Sequence, residues 1–325
     1  MYCKIMADHA DDDFDGDIFV YRGGRSPQHV THALIDESVD EIEDQAFYDC
    51  QRLLKVETHD GLRKIGQRAF CNCRSLRRIN LKSAIEIDEY AFYNCKNLES
   101  VEFGDRLETI RNRAFGWTLL THLKLPSIIT IGQSAFVSCQ SLTDIELSEQ
   151  LETMGRSAFW SCDRLQRIAI PLKRKLFGIT QFVTQFDGCD ELTRVDLVGQ
   201  AHTKTIASLH MESWRTEMIA EIIRINQILP TTPDDDKTFE IKLWMRTVLD
   251  KMDHYKAEHC RYVKEGITLL ELVLWKAKLG EKEENTAEGP TKKDKDDCES
   301  VRVQKRITCG ADIVIKNVLP FLQLE

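Results

Sequence analysis

The residues best suited by type and spacing to do chemistry lie near the start of the chain. Asp11, Asp13, Asp15, Gly16 and Ile18 match positions 1, 3, 5, 6 and 8 of a calcium loop, in which alternate carboxylates and a glycine turn surround a hard cation. Position 12 is Arg22, where a bidentate glutamate is required, and the flanks read as a free terminus and a strand instead of two helices. The stretch is therefore read as a disordered acidic leader over 1–17. Cys71-Asn72-Cys73 and His254 with His259-Cys260 are the other compact Cys/His groups, and neither has a second pair at zinc spacing. The chain shows no P-loop, no paired-glycine dinucleotide fingerprint and no recognisable Ser/His/Asp order. The sequence thus predicts no cofactor, no metal and no catalysis. The alternative is an enzyme whose site lies between the two parts of the chain described below, using His210, His254 or His259; a deep pocket with converging ionisable groups would reveal it.

The remaining chemically notable residues are cysteines, and their spacing belongs to a repeat. Ala-Phe recurs at Ala46-Phe47, Ala69-Phe70, Ala91-Phe92, Ala114-Phe115, Ala135-Phe136 and Ala158-Phe159, in steps of 23, 22, 23, 21 and 23 residues. Five residues before each Phe stands Ile42, Ile65, Ile87, Ile110, Ile131 or Met154, and three after it stands Cys50, Cys73, Cys95, Thr118, Cys139 or Cys162. A small thiol packs readily in a core and donates a weak hydrogen bond to a turn carbonyl. Thr118 fits that role and fits neither a metal ligand nor a disulfide. After the Cys comes a segment such as Leu142-x-x-Ile145-x-Leu147, alternating at period two, which reads as a short strand with one buried face. No single repeat can bury its Phe alone, so stacking of neighbours is the folding step.

The pattern Ile-x-x-x-Ala-Phe-x-x-Cys-x-x-Leu-x-x-Ile-x-Leu resembles the BspA-like class of leucine-rich repeat. The resemblance covers about half the chain and implies a curved solenoid used for protein recognition, with no shared catalytic activity. The expected fold class is an α/β repeat solenoid: a curved parallel sheet, short helical turns on the convex side, then an α-helical carboxy-terminal region. Two departures stand out. The fourth repeat lacks the Cys and one residue, and the seventh keeps Phe186, Cys189 and Leu192 after a step of 27 from Phe159, with Lys173-Arg174-Lys175 in the insertion.

The organisation read from these signals is a leader over 1–17, cap strands over 18–39, a solenoid over 40–198 and helices over 199–325, with a flexible charged insertion at 280–300. Ile18 to Tyr21 and Val30 to Ile35 supply the cap, joined by a Gly23-Gly24 turn. One helix begins near Met211 with Trp214, Met218, Ile222, Ile225 and Leu229 on one face, broadened by Ile219 and Ile223, and stops at Pro230 and Pro233. A second is expected from Lys237 to Val263, a third from Ile267 to Leu279, and a last one before Pro320. This tail resembles the carboxy-terminal helices of repeat proteins from single-celled algae, which names no activity.

With 42% hydrophobic and 30% charged residues, the 325-residue chain is ordinary for a folded protein, and its net charge of -9 would repel nucleic acid. Met1 to His9 lack an apolar stretch, and no segment reaches the roughly 18 apolar residues of a membrane span. A cytoplasmic location, with no membrane and no nucleic-acid partner, is expected. The concave face should present Lys55/Glu57, Arg78/Asn80, Ser100/Glu102, His122/Lys124, Asp144/Glu146, Arg167/Ala169 and Arg194/Asp196, with both signs interspersed. A protein or peptide of mixed charge fits such a face better than a phosphate backbone does.

Overall fold

The computed structural model describes residues 18–177, 184–199, 208–209 and 211–283, with side chains as far as 276. The calcium-like loop from Asp11 to Gly16, His210, the segment 301–325 and all but the first residues of the insertion expected at 280–300 lie outside the described residues.

The 22-residue period becomes a stack of coils with two sheet walls. The wide wall is formed by β1 (Phe19–Tyr21), β2 (His32–Ile35), β4 (Lys55–Glu57), β6 (Arg78–Leu81), β8 (Ser100–Phe103), β10 (His122–Lys124), β12 (Asp144–Glu146), β14 (Arg167–Ile170) and β15 (Arg194–Leu197). The narrow wall has two residues per coil: β3 (Glu41–Ile42), β5 (Lys64–Ile65), β7 (Glu86–Ile87), β9 (Thr109–Ile110), β11 (Thr130–Ile131) and β13 (Thr153–Met154). All pairing is parallel.

The expected short helical turns are instead this narrow ladder followed by non-helical turns. Each of the first six coils puts two residues into the left-handed region, Gln45 and Asp49 in the first, Arg68 and Asn72 in the next, and a right-handed helix cannot pass through such positions. The second left-handed site is occupied by Asp49, Asn72, Asn94, Ser138 and Ser161, and by Gly188 in the last coil, residues that tolerate it or lack a Cβ. The fourth coil puts Trp117 there, at φ 62° and 48% exposed.

Between the walls run seven phenylalanines from Phe47 to Phe186, all fully buried and stacked face to face with centroids 5.0 to 5.9 Å apart. Tyr21 at 5.1 Å and Phe19 at 6.4 Å cover the Phe47 end, and Phe177, from the insertion, packs edge-on against Phe186. Truncating one inner ring to Ala removes contacts with both neighbours, a change that costs about 3–5 kcal/mol in a packed core. The thiols form a second ladder: Cys73, Cys95, Cys139, Cys162 and Cys189 each donate to the Phe carbonyl of the preceding coil at 3.0 to 3.2 Å. Thr118 bonds the Phe115 carbonyl of its own coil at 2.9 Å.

Helix α1 (Glu212–Ile228) buries Trp214, Met218 and Ile225, while Ile219 and Ile223 are half exposed, so its apolar stripe is narrower than the sequence pattern. Two prolines end it, through the 3₁₀ turn Leu229–Thr231. Helix α2 (Asp234–Glu283) is a single element through Lys264-Glu265-Gly266, where the sequence predicts a break between two helices. One interior glycine costs a helix about 1 kcal/mol, too little to interrupt a long run without a proline.

The described residues fall into two compact units. One holds the coils to Gly199 together with Ile222–Arg246, and the other holds α1 to Glu221 and α2 from Thr247. In the first unit the last coil is finished by groups that imitate a following one. Asn226 pairs with both backbone groups of Val195, accepting from its N at 2.7 Å and donating to its O at 3.1 Å, which occupies the open edge of β15. Thr238 Oγ1 accepts from Phe186 N at 2.9 Å, where earlier coils use a backbone carbonyl of the next coil, and buried Lys237 Nζ donates to the carbonyls of Cys189 and Asp190. In the second unit Trp214 stacks on Tyr255 at 4.9 Å, and Lys251 Nζ bridges Glu217 and Glu221 at 2.6 and 2.9 Å.

Candidate functional site

The chemically notable residues are mostly occupied in structure. Burial pushes the thiols of Cys73 and Cys162 well up, which keeps them protonated and poor as nucleophiles or metal ligands. Cys71 is buried, Cys260 is exposed, and all eight described cysteines are free thiols. Arg22, the misfit of the calcium-like loop, pairs with Asp36 at 2.9 Å. That carboxyl is held down to about 2, first by hydrogen bonds from Ser38 and then by Arg22. His254 is exposed and sits 3.6 Å from Glu258, one turn along α2. No three His, Cys, Asp or Glu side chains converge on a metal-sized site among the described residues.

The surface with the most organised chemistry is the outer face of the wide wall. Period-two alternation puts Val56, Ile79, Leu123, Ile145, Ile168 and Val195 inward, and parallel register then aligns their neighbours from coil to coil in two lanes. One lane runs His32, Lys55, Arg78, Ser100 and then His122, Asp144, Arg167, Arg194. The other runs Leu34, Glu57, Asn80, Glu102 and then Lys124, Glu146, Ala169, Asp196. Four cations and one acid thus mark the first lane, and four acids and one cation the second. The signs that look interspersed along the sequence are sorted by register. The two exceptions are neutralised inside their own lanes, Asp144 by Arg167 at 3.0 Å and Lys124 by Glu146 at 3.5 Å. Ala169 is a correction to the expected outward set, being only 2% exposed: its single methyl does not reach out of the wall as the long side chains of the other lane positions do.

The lanes are interrupted once. The wide wall is two sheets, β1-β2-β4-β6-β8 and β10-β12-β14-β15, whereas the narrow wall is continuous from β3 to β13. The cause is local. Cys95 and Leu98 are three residues apart and Thr118 and Leu120 only two, so the missing residue of coil four falls just before its strand. In coil three the amides of Glu99 and Ser100 both bond Arg77 O, but in coil four Leu119 N reaches Leu98 O at 3.0 Å and the strand-to-strand ladder stops. At this seam Val101 and Phe103 are half-buried, although Val56, Ile79, Leu81 and Leu123 in the same places are buried. A shallow depression of about 480 Å³ opens there, lined by Val101, Phe103, Lys82, Glu102, His122 and Lys124 among others. The missing residue was legible in the sequence, but its effect on strand pairing was not, since pairing depends on register in three dimensions.

The electrostatics differ along the lanes. Lys55–Glu57 and Lys82–Glu102 pair at 2.8 Å with every partner half or more exposed. Arg167 lies between Asp144 and Asp196, at 3.0 and 2.5 Å, and Arg194 joins Asp196 at 3.0 Å. Burial raises the Asp196 pKa, but hydrogen bonds from Arg167 and Arg194 outweigh it and hold the carboxyl below its ordinary range.

The chain is similar to known repeat proteins. The model of the BspA type leucine-rich repeat region, in six copies, matches residues 26–130 and 108–219. Among solved structures, a leucine-rich repeat protein from Bacteroides ovatus is 26% identical over 54% of this chain, with a TM-score of 0.43. The T. pallidum leucine-rich repeat protein is 24% identical over 55% of this chain and 83% of its own, with a TM-score of 0.36. The pneumococcal vaccine antigen PcpA is 19% identical over 55% of this chain and 65% of its own, with a TM-score of 0.32. The aligned part spans 48% of the Bacteroides ovatus protein, about half its length. No protein of curated function matches the chain. The repeat pitch, the buried Phe and Cys ladders and the matched span agree: the chain belongs to the BspA-type leucine-rich repeat family.

Proposed function

We propose that the protein is a non-catalytic interaction scaffold that binds a protein or peptide on the outer face of its wide wall, the face expected to be concave. The observation that carries this reading is the pair of charge lanes on a rigid parallel sheet, interrupted by a seam that exposes part of the core. Stacked coils hold such side chains at fixed spacings, so little ordering cost attends binding. Mixed polarity within a few ångströms disfavours a polyanion and suits a partner carrying both signs. No described helix is long and apolar enough to cross a membrane. A reducing compartment such as the cytoplasm is proposed as its setting, because the free-thiol ladder uses each sulfur as a hydrogen-bond donor.

The test is affinity capture from cell extract with the natural chain and with a variant reversed in charge at Arg78 and Lys124. Loss of specific partners by at least about tenfold on reversal is expected, as for disruption of charge pairs at an interface. An unchanged set of recovered proteins would assign binding to another surface.

A further inference from the structure

We infer that the amino-terminal half of the wide face receives an extended peptide segment that crosses the strands and alternates acidic and basic side chains, acids toward Lys55 and Arg78, bases toward Glu57 and Glu102. This rests on the reading of the wide face as the binding face and names the chemistry of its partner. The lanes are two residues apart along each strand, about 6.7 Å, and successive coils are about 4.8 Å apart. A segment laid between the lanes turns alternate side chains to opposite sides, so each side meets a lane of one sign. A run of like charge would be attracted by one lane and repelled by the other at nearly equal range. Arg78 makes no ion pair among the described residues, and the Lys55–Glu57 and Lys82–Glu102 pairs are exposed enough to exchange partners at little cost. At the end of this half, Val101 and Phe103 offer a half-open apolar floor at the seam for one aliphatic side chain of the segment.

The experiment uses the full chain and two labelled peptides of identical composition, followed by fluorescence anisotropy at low salt. One peptide has six Glu-Lys repeats; the other has six Glu followed by six Lys. The alternating peptide is expected to bind at least about tenfold tighter than the block isomer. Inverting one lane (Lys55→Glu with Arg78→Glu) should weaken it by about tenfold or more, each tenfold being about 1.4 kcal/mol. Inverting the second lane as well (Glu57→Lys with Glu102→Lys) should restore binding, because sliding the peptide by one residue exchanges its sides. All four positions are exposed, and far-UV circular dichroism checks that the fold is kept. Equal binding of the block isomer, indifference to the single inversion, or absence of rescue would each overturn the inference. If reversal at Arg78 and Lys124 loses the captured partners while the alternating peptide fails, the binding face stands and only its peptide chemistry falls; if neither responds, both fall.

Discussion

The two halves of the wide sheet carry similar charges and hold them in opposite ways. Before the seam, no opposite charges adjoin within a lane: Lys55 lies beside Arg78, and the acids Glu57 and Glu102 are separated by Asn80. Cations therefore find acids only across the lanes or outside them, in exposed pairs. After the seam, one residue changes the arrangement. Asp144 stands in the basic lane beside Arg167, which then bridges to Asp196, and Arg194 closes the set on the same carboxylate. The same repeat thus makes an open, reactive charge pattern on one side and a closed ion network on the other. The signs balance in both, two cations and two acids before the seam and three of each after it; what also differs is which sign meets which across a single coil spacing, where Coulomb terms are largest.

The largest effect that sharpens this contrast is on stability. Arg167→Met removes the centre of the closed network and leaves Asp144 and Asp196 facing a common gap. A loss of about 2 kcal/mol in urea unfolding is expected, since hydrogen bonds to charged groups are worth about 1.5–3 kcal/mol. Arg78→Met in the open half should change stability by less than about 0.5 kcal/mol, as for an ordinary surface substitution. Equal losses at the two positions would abolish the distinction between the halves.

A middle-sized effect concerns the seam. Trp117 sits in a left-handed backbone position that its counterparts give to Asp, Asn, Ser or Gly, and almost half its surface is exposed. A bulky L-residue pays about 1–2 kcal/mol for that conformation, and asparagine less. Trp117→Asn is therefore expected to raise stability by about 1 kcal/mol in the same urea assay. A destabilisation of similar size would mean that the indole makes compensating contacts that fix the seam. Inserting one residue between Leu119 and Leu120 tests the seam itself: restored strand spacing should slow amide exchange at Val101 and Phe103 by about tenfold relative to the natural chain. No slowing would locate the cause of the break elsewhere than in the missing residue.

How much of this was readable beforehand follows the range of the interactions. The buried Phe and Cys ladders, the inward aliphatics and the outward strand residues all follow from a local period of about 22 and an alternation of two, so the sequence displays them directly. The lanes were also present in it: writing each outward pair in strand order places Lys55, Arg78, Arg167 and Arg194 first and Glu57, Glu102, Glu146 and Asp196 second. Asn226, Lys237 and Thr238 were not legible as a cap, because their partners lie 31 to 52 residues away and no repeat announces them. The narrow sheet is hidden in the sequence for another reason. Two residues per coil give no alternation to detect, and the left-handed turns that follow have no single residue signature.

The smallest effect is the most specific to the comparison, because it depends on the sign of a titration. Asp196 has a folded pKa below its unfolded one, so its contribution to stability is fully present above about pH 4, the ordinary carboxylate value, and is lost as pH falls through the lowered folded value. Partial exposure limits that contribution to below about 1 kcal/mol. As pH falls from about 4 through the lowered folded value, the closed half should thus lose amide-exchange protection at Val195 and Ile168, the inward neighbours of this network. Arg167→Met should remove most of this acid sensitivity, since it takes away the stronger of the two hydrogen bonds that depress the carboxyl. If the variant kept the same acid dependence as the natural chain, the network would owe its acid response to some other carboxylate, and the closed half would be closed in geometry only.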